Sequence, residues 1–237
     1  GNIPVHAFNL ISPTFFANSS TGNKYSLWVN VYGVSERYLN VYGEKDLRAQ
    51  MNQFFHRTYT HPVDGTTLDM KMLCNWYWYD ETAILETGKG TKDWNFYRYA
   101  ETLLSAAEAI AQSSGVNAEA AGYLAQVKAR ANMEGKDVST IASELQRLGK
   151  QAFIEECWKE RLREFPLEMK IWDDCVRTGK FPQISATNKG EVQFVDLIGA
   201  KNGSGATFKA TDLYWPIPVN EIQRNPNLTQ NEGYSAK

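Results

Sequence analysis

Glu101 and Glu108, seven positions apart, are the first pair in this 237-residue chain that could do acid–base chemistry. On a helix rising about 1.5 Å per residue their backbones stand roughly 10 Å apart. Retaining glycoside hydrolysis needs carboxyl groups about 5–5.5 Å apart, and inverting hydrolysis about 6.5–9.5 Å. Side chains would have to close that gap, and both acids border an alanine-rich packing face. A carboxylate there more often serves as half of an ion pair, with Arg130, Arg161 or Arg177 as its cation. Arg161 lies on an apolar stripe between Cys157 and Phe165. Its guanidinium must meet a carboxylate, because a stranded buried charge costs several kcal/mol. Glu168 and Asp174 are its expected partners.

Other reactive residues lack the spacing that chemistry needs. His6, His56 and His61 have no His or Cys at metal-ligand distance in sequence, and neither do Cys74, Cys157 and Cys175. The three thiols cannot all pair; they read as free, with a bridge through Cys74 as the alternative. There is no Walker loop, nucleophile elbow or dinucleotide fingerprint, and Ser204 between two glycines is a turn. No metal and no cofactor is expected.

Aromatic residues are the compositional outlier: 7 Trp, 12 Tyr and 11 Phe, 13% of the chain. The densest run is Asn75-Trp76-Tyr77-Trp78-Tyr79-Asp80. Sugars present apolar C–H faces ringed by hydroxyls, so a sugar site combines flat aromatic faces with a few orienting amides or carboxylates. In an extended chain Trp76 and Trp78 would share one face and Tyr77 and Tyr79 the other. The plainer reading is that one face packs on a core and the other on a neighbouring surface. Trp94, among Lys92, Asp93 and Asn95, is a second candidate of the same kind.

The net charge of −2, with no Lys/Arg run, gives no electrostatic footing for nucleic acid. No apolar stretch approaches the roughly 20 residues of a membrane span. The chain begins Gly1-Asn2-Ile3-Pro4, without an initiating Met or signal peptide. That start reads as a piece of a longer protein whose targeting information has been removed.

The elements that would position these residues change character near Arg98. Residues 1–97 read as an irregular mixed segment, with a strand over 25–32, a weaker one at Leu68, Met70 and Met72, a turn at 61–65 and a loop over 85–95. From Arg98 the period is helical: Ala100, Leu103, Leu104, Ala107, Ile110 and Ala111 follow i, i+3, i+4, i+7. Gly115 stops this helix and Asn117 caps the next, giving an antiparallel hairpin the size of one tetratricopeptide unit. Asp137 or Ser139 opens a third helix, and Gly149 interrupts it. The stripe Ile154, Cys157, Trp158, Leu162, Phe165 marks another, ended by Pro166. A last long helix spans 168–178. Val192–Leu197 and Ala206–Lys209 suggest a hairpin with a long loop. Leu213–Pro218 must be extended, because each Pro disfavours helix in the residue before it, and Asn220 caps a short turn through Gln223.

The segment from Leu213 through Trp215-Pro216-Ile217-Pro218, Glu221-Ile222, Asn225-Pro226-Asn227-Leu228 and Gln230-Asn231 to Gly233-Tyr234 resembles the closing motif of the SusD/RagB family. Arg98-Tyr99-Ala100-Glu101 with Leu103-Leu104 and Ala107-Glu108-Ala109 resembles that family's central helix. Glu160-Arg161, Glu164, Glu168, Trp172, Asp174 and Arg177-Thr178-Gly179-Lys180 resemble its arginine- and acid-rich helices. Pro166, Met169 and Ile171 depart from the usual pattern.

The resemblance implies a predominantly α fold with a tetratricopeptide-like helical hairpin, a small β component and long ordered loops. It further implies that 98–237 is the C-terminal helical region of a longer outer-membrane lipoprotein, anchored by a lipid absent from this chain. Such a protein captures oligosaccharides, or in some members peptides, and passes them to a SusC-like TonB-dependent transporter without catalysis. The rival readings are a helical-repeat module that binds protein or peptide and, further off, a carbohydrate-active enzyme. The ligand contacts expected from this half are Trp76, Tyr77, Trp78, Tyr79 and Trp94.

Overall fold

The computed structural model describes residues 34–62, 64–77, 79–81, 93 and 95–235. The sequence-predicted strand at 25–32 and most of the 85–95 loop lie outside the described residues. The chain forms two compact units: Gly1–Glu168 with Ile184–Val192, and Met169–Gln183 with Gln193–Lys237.

Among the described residues of the first unit, a β-hairpin precedes the α-helices that form its core. Strands β1 (Phe55–Thr60) and β2 (Thr67–Asn75) pair antiparallel, with a bulge between His56 and Thr58. The expected turn joins them: the His61 N–H donates to the Thr66 carbonyl at 2.8 Å, and Gly65 takes a φ of 73°. Phe55, Tyr59 and Leu73 are buried.

The helices are α1 (Tyr99–Ser114), α2 (Ala118–Arg130), α3 (Val138–Leu145) and α4 (Lys150–Glu164). Their ends follow the sequence. Asn117 Oδ1 accepts the Ala120 N–H at 2.9 Å, and Asp137 Oδ1 accepts the Thr140 N–H at 2.8 Å. Each satisfies an amide that a helix start leaves bare. Helix α1 packs on α2 and α4, and α2 packs on α3. Ala100, Ala107, Ala111, Ala120, Ala121 and Ala125 lie in the shared core, with Leu104, Leu124, Phe153 and Cys157 filling between them. Small side chains on α1 and α2 let the two backbones approach, while the larger residues supply most of the apolar area removed from water. All three cysteines are buried thiols, none of them in a disulfide.

In the second unit α5 (Ile171–Thr178) starts three residues later than the helical pattern suggests. Leu167 and Met169 take φ values of 58° and 61°, a left-handed geometry that a right-handed helix cannot include. Gly179, at φ 66°, then turns the chain directly into β3 (Lys180–Ile184), which pairs with β4 (Val192–Asp196). The partner expected for β4, Ala206–Lys209, folds instead onto residues 199–202. The Gly199 N–H donates to the Phe208 carbonyl and the Phe208 N–H to the Ala200 carbonyl, both at 2.9 Å. Phe208 lies 5.6 Å from Trp172 and 5.1 Å from Phe181, centroid to centroid. Leu213, expected to be extended, instead closes a 3-10 turn over Ala210–Leu213; the chain is extended from Tyr214 to Pro218 and leads into the short α6 (Val219–Arg224), with Pro218 rather than Asn220 at the cap. No helix among the described residues is long and apolar enough to cross a membrane.

Candidate functional site

Asn75 ends β2 and reshapes the aromatic run that follows. Its Oδ1 accepts the Tyr77 N–H at 2.7 Å, an Asx turn, and the Tyr79 N–H donates to the Trp76 carbonyl at 3.1 Å. The run therefore turns after Asn75, and Tyr77 and Tyr79, expected to share a face, have different neighbours, Arg98 for the first and Trp76 for the second. Trp76 and Tyr79 stack on each other at 5.0 Å and 16°, and Trp76 stacks on His56 at 3.8 Å and 11°. Burial, partly opposed by a backbone hydrogen bond at Gln53, lowers the His56 pKa and keeps this imidazole neutral at pH 7. Burial also pushes the neighbouring Tyr59 phenol up to about 12.

Tyr77 is placed differently. Its ring lies under the Arg98 guanidinium, 5.9 Å from Cζ to centroid, and its hydroxyl accepts the Asn95 Nδ2–H at 3.3 Å. The aromatic run and the segment around Trp94 thus meet at one place, although Trp78 and Trp94 themselves lie outside the described residues. A cleft of about 340 Å³ opens beside Tyr77, walled by Leu47, Gln53, Phe54, Arg98, Arg130 and Glu164 among others. Sequence reasoning did not find Gln53, Phe54 or Arg130 as neighbours of Tyr77. The first two precede a strand broken by a bulge, and no local pattern marks them.

The helices behind the cleft commit their charges to one another. Arg161 pairs with Glu101 at 3.2 Å and not with the expected Glu168, which holds Arg98 at 2.7 Å. Asp174 pairs with Arg177 one turn along its own helix. Glu108 accepts from Trp158 Nε1 at 2.8 Å and from Gln112 Nε2 at 3.0 Å. Both acids of the sequence-predicted pair are therefore engaged. Glu160, wholly buried, faces Arg48 at 2.9 Å, Arg163 at 3.2 Å and Lys128 at 3.7 Å. Burial alone would raise its pKa, but these three cations outweigh that and hold it far below the usual carboxylate range. The network floors a second, larger cleft of about 490 Å³, rimmed by Lys45, Asn132, Glu134, Lys136 and Glu144. Among the described residues no group of His, Cys, Asp and Glu could hold a metal ion.

Known proteins resemble this chain in sequence and fold. Over 138 residues, 58% of this chain and 21% of the relative, the sequence is 36% identical to the starch-binding protein SusD of Bacteroides thetaiotaomicron. The crystal structure of a SusD superfamily protein from Parabacteroides distasonis superposes with a TM-score of 0.73 at 30% identity, covering 94% of this chain and 46% of that one. A second, from Bacteroides fragilis, shares the fold with a TM-score of 0.56 at 19% identity, covering 98% and 49%. The chain thus spans about half the length of these two solved relatives. The sequence profile of the SusD family matches residues 19–234, nearly the whole chain, and the chain belongs to that family.

Proposed function

We propose that this chain is the ligand-bearing C-terminal half of a cell-surface glycan-binding protein, an outer-membrane lipoprotein that hands oligosaccharides to a SusC-like TonB-dependent transporter. The observation that carries this reading is that Tyr77 both lines a cleft and accepts a hydrogen bond from the Asn95 amide. An aromatic face, an amide and an apolar wall there match what a sugar ring offers. The starch-binding relative supports the ligand class. Trp78 and Trp94, adjacent in sequence to these two residues, are further contacts in this reading, and the Trp76–Tyr79 stack supports the platform from behind. The protein is a binder and not a hydrolase: Glu101 and Glu108 serve packing.

Calorimetry of the protein at its natural full length against a glycan panel tests this. Binding is expected without release of reducing sugar. Tyr77→Ala should cost about 2 kcal/mol, roughly thirty-fold in affinity, because a few residues dominate an interface. The substitutions Trp76→Ala, Trp78→Ala, Tyr79→Ala and Trp94→Ala rank the remaining contacts. Failure to bind any glycan, or hydrolysis abolished by Glu101→Gln in a folded protein, would overturn the reading. Co-purification of a TonB-dependent barrel from solubilised outer membranes tests the transporter step.

A further inference from the structure

The cleft beside Tyr77 has an uneven distribution of charge. Arg48, Arg98 and Arg130 converge on a single carboxylate, Glu164, which is wholly buried. Arg48 also holds Asp46 through two bonds, Nε to Oδ1 at 2.9 Å and Nη2 to Oδ2 at 2.7 Å. Arg98 holds Glu168 in the same way, at 2.8 and 2.7 Å. Asp46 and Glu168 do not line the cleft, whereas all three guanidiniums do. The network as a whole is electrically balanced, but Arg48, Arg98 and Arg130 line the cleft with Glu164 as their one carboxylate there, so the lining carries an excess of positive charge.

Arg130 is the open member of the three. Its side chain is 56% exposed, and only its Nη2 group is used, on Glu164. Its Nε and Nη1 groups have no protein partner among the described residues. Nε–H and Nη1 face different sides of the guanidinium, but either one, together with the second hydrogen of Nη2, makes a two-donor edge that matches a carboxylate with two parallel hydrogen bonds, which a sugar hydroxyl cannot reproduce. Leu47, Phe54, Tyr77 and Gln53 line the same cleft. These suit the C–H face and hydroxyls of a pyranose ring. The cavity, about 340 Å³, lies at the small end of the range for ligand pockets and fits a single sugar residue better than a long stretch of polymer.

From this geometry we infer that the Tyr77 cleft binds an acidic sugar, a uronic acid residue of a glycan, with its carboxylate on the free edge of Arg130 and its ring against Tyr77 and Phe54. The inference rests on the glycan-binding reading above and narrows it to one ligand class.

The test is calorimetry of the full-length protein with oligogalacturonate, oligomannuronate and oligoglucuronate, each beside its carboxyl-reduced neutral counterpart. At least one uronide should bind about tenfold or more tighter than its neutral partner, a preference that shrinks as NaCl rises. Arg130→Gln should abolish the preference, so that the uronide and its neutral partner bind the same variant equally well. Arg130→Lys, which keeps the charge and loses the fork, should retain only part of it. Glu164 keeps Arg48 and Arg98 in both variants, so the fold should hold, and a melting curve verifies that. If neutral oligosaccharides bind as well as their uronides, or if the preference survives Arg130→Gln, the acidic-sugar site is refuted and the glycan reading stands. If no glycan of either kind binds, both fall.

Discussion

Between α1, α2 and α4 the buried polar groups are charged. Glu101 meets Arg161, Glu160 meets Arg48 and Arg163, and Glu164 meets three guanidiniums. The C-terminal tail solves the same problem with neutral groups. No residue from 210 to 235 is buried, yet the extended segment around Trp215 is fully tied down. Gln230 both accepts the Ile217 N–H at 2.8 Å and donates to the Ile217 carbonyl at 2.9 Å, so one side chain replaces a neighbouring strand. Asn231 Nδ2 donates to the Trp215 carbonyl at 2.7 Å, and the Tyr234 hydroxyl lies 2.8 Å from the carbonyls of Tyr214 and Thr211. The Gln-Asn-x-Gly-Tyr ending is thus a set of side-chain clamps on a Pro-rich strand. The charged region is strong only while every partner is present and ionised. The neutral region is indifferent to pH and depends on backbone shape.

The sharpest way to break this comparison is to strand one buried charge. Arg161→Leu leaves Glu101, itself buried, without its cation, and urea unfolding should show a loss of about 3–5 kcal/mol. A change below about 0.5 kcal/mol, the size of an ordinary surface substitution, would mean that the pair is solvated.

Acid separates the two regions next. An unfolded glutamate titrates near 4.3, and folded Glu156 and Glu160 titrate lower because, despite their burial, Lys128, Arg163 and, for Glu160, Arg48 hold them ionised. Their contribution is therefore complete above about pH 4.3 and is lost as pH falls toward their folded values, since the unfolded chain takes up protons first. Urea midpoints at pH 7 and pH 3 should drop further in the wild type than in Glu160→Gln. Equal drops would show that ionised Glu160 adds no stability.

Backbone shape is the tail's own weak point. Gly233 sits at φ 85°, and a Cβ there would stand 2.2 Å from Thr211 Cγ2. Gly233→Ala combines that strain with a clash and should cost about 1–3 kcal/mol, at pH 7 and pH 3 alike. A neutral result would mean that Thr211 and the tail move apart freely.

How legible these regions were differs for physical reasons. The helices are written in their period, and Gly115, Asn117, Asp137 and Gly149 mark their ends, because caps and apolar spacing are local. Ion-pair partners are not local: Arg161 reaches Glu101, 60 positions away, past the nearer Glu168. Strand β1 escaped notice because its bulge spoils the alternation. Phe55 and Tyr59 are buried, but Arg57 between them is exposed and pairs with Glu36. The tail has no periodicity; its prolines marked the extended stretch and the rest was readable only by resemblance, whereas its hydrogen bonds show what those residue types do together. At the candidate site the aromatic run stood out by composition. The Asx turn at Asn75 and the cleft wall from Phe54 and Arg130 depend on contacts between distant segments, which spacing does not encode.

The smallest expected effects test whether the tail is held by its clamps or by its most conspicuous side chain. Trp215 is the largest apolar residue there, but at 90% exposure it removes almost no surface from water. Area bookkeeping therefore assigns it almost no stability, and Trp215→Ala should shift the urea midpoint by less than about 0.5 kcal/mol. Tyr234 is also partly exposed, yet its hydroxyl lies 2.8 Å from the carbonyls of Tyr214 and Thr211, the second of which also accepts the Tyr214 N–H at 3.4 Å. Tyr234→Phe keeps the ring and deletes only that hydroxyl. It should cost about 0.5–1.5 kcal/mol, the net worth of a hydrogen bond in water, and by the same amount at pH 7 and pH 3. If Trp215→Ala proves the more damaging of the two, the tryptophan is packed against something in solution, and neutral clamping is not what orders this tail.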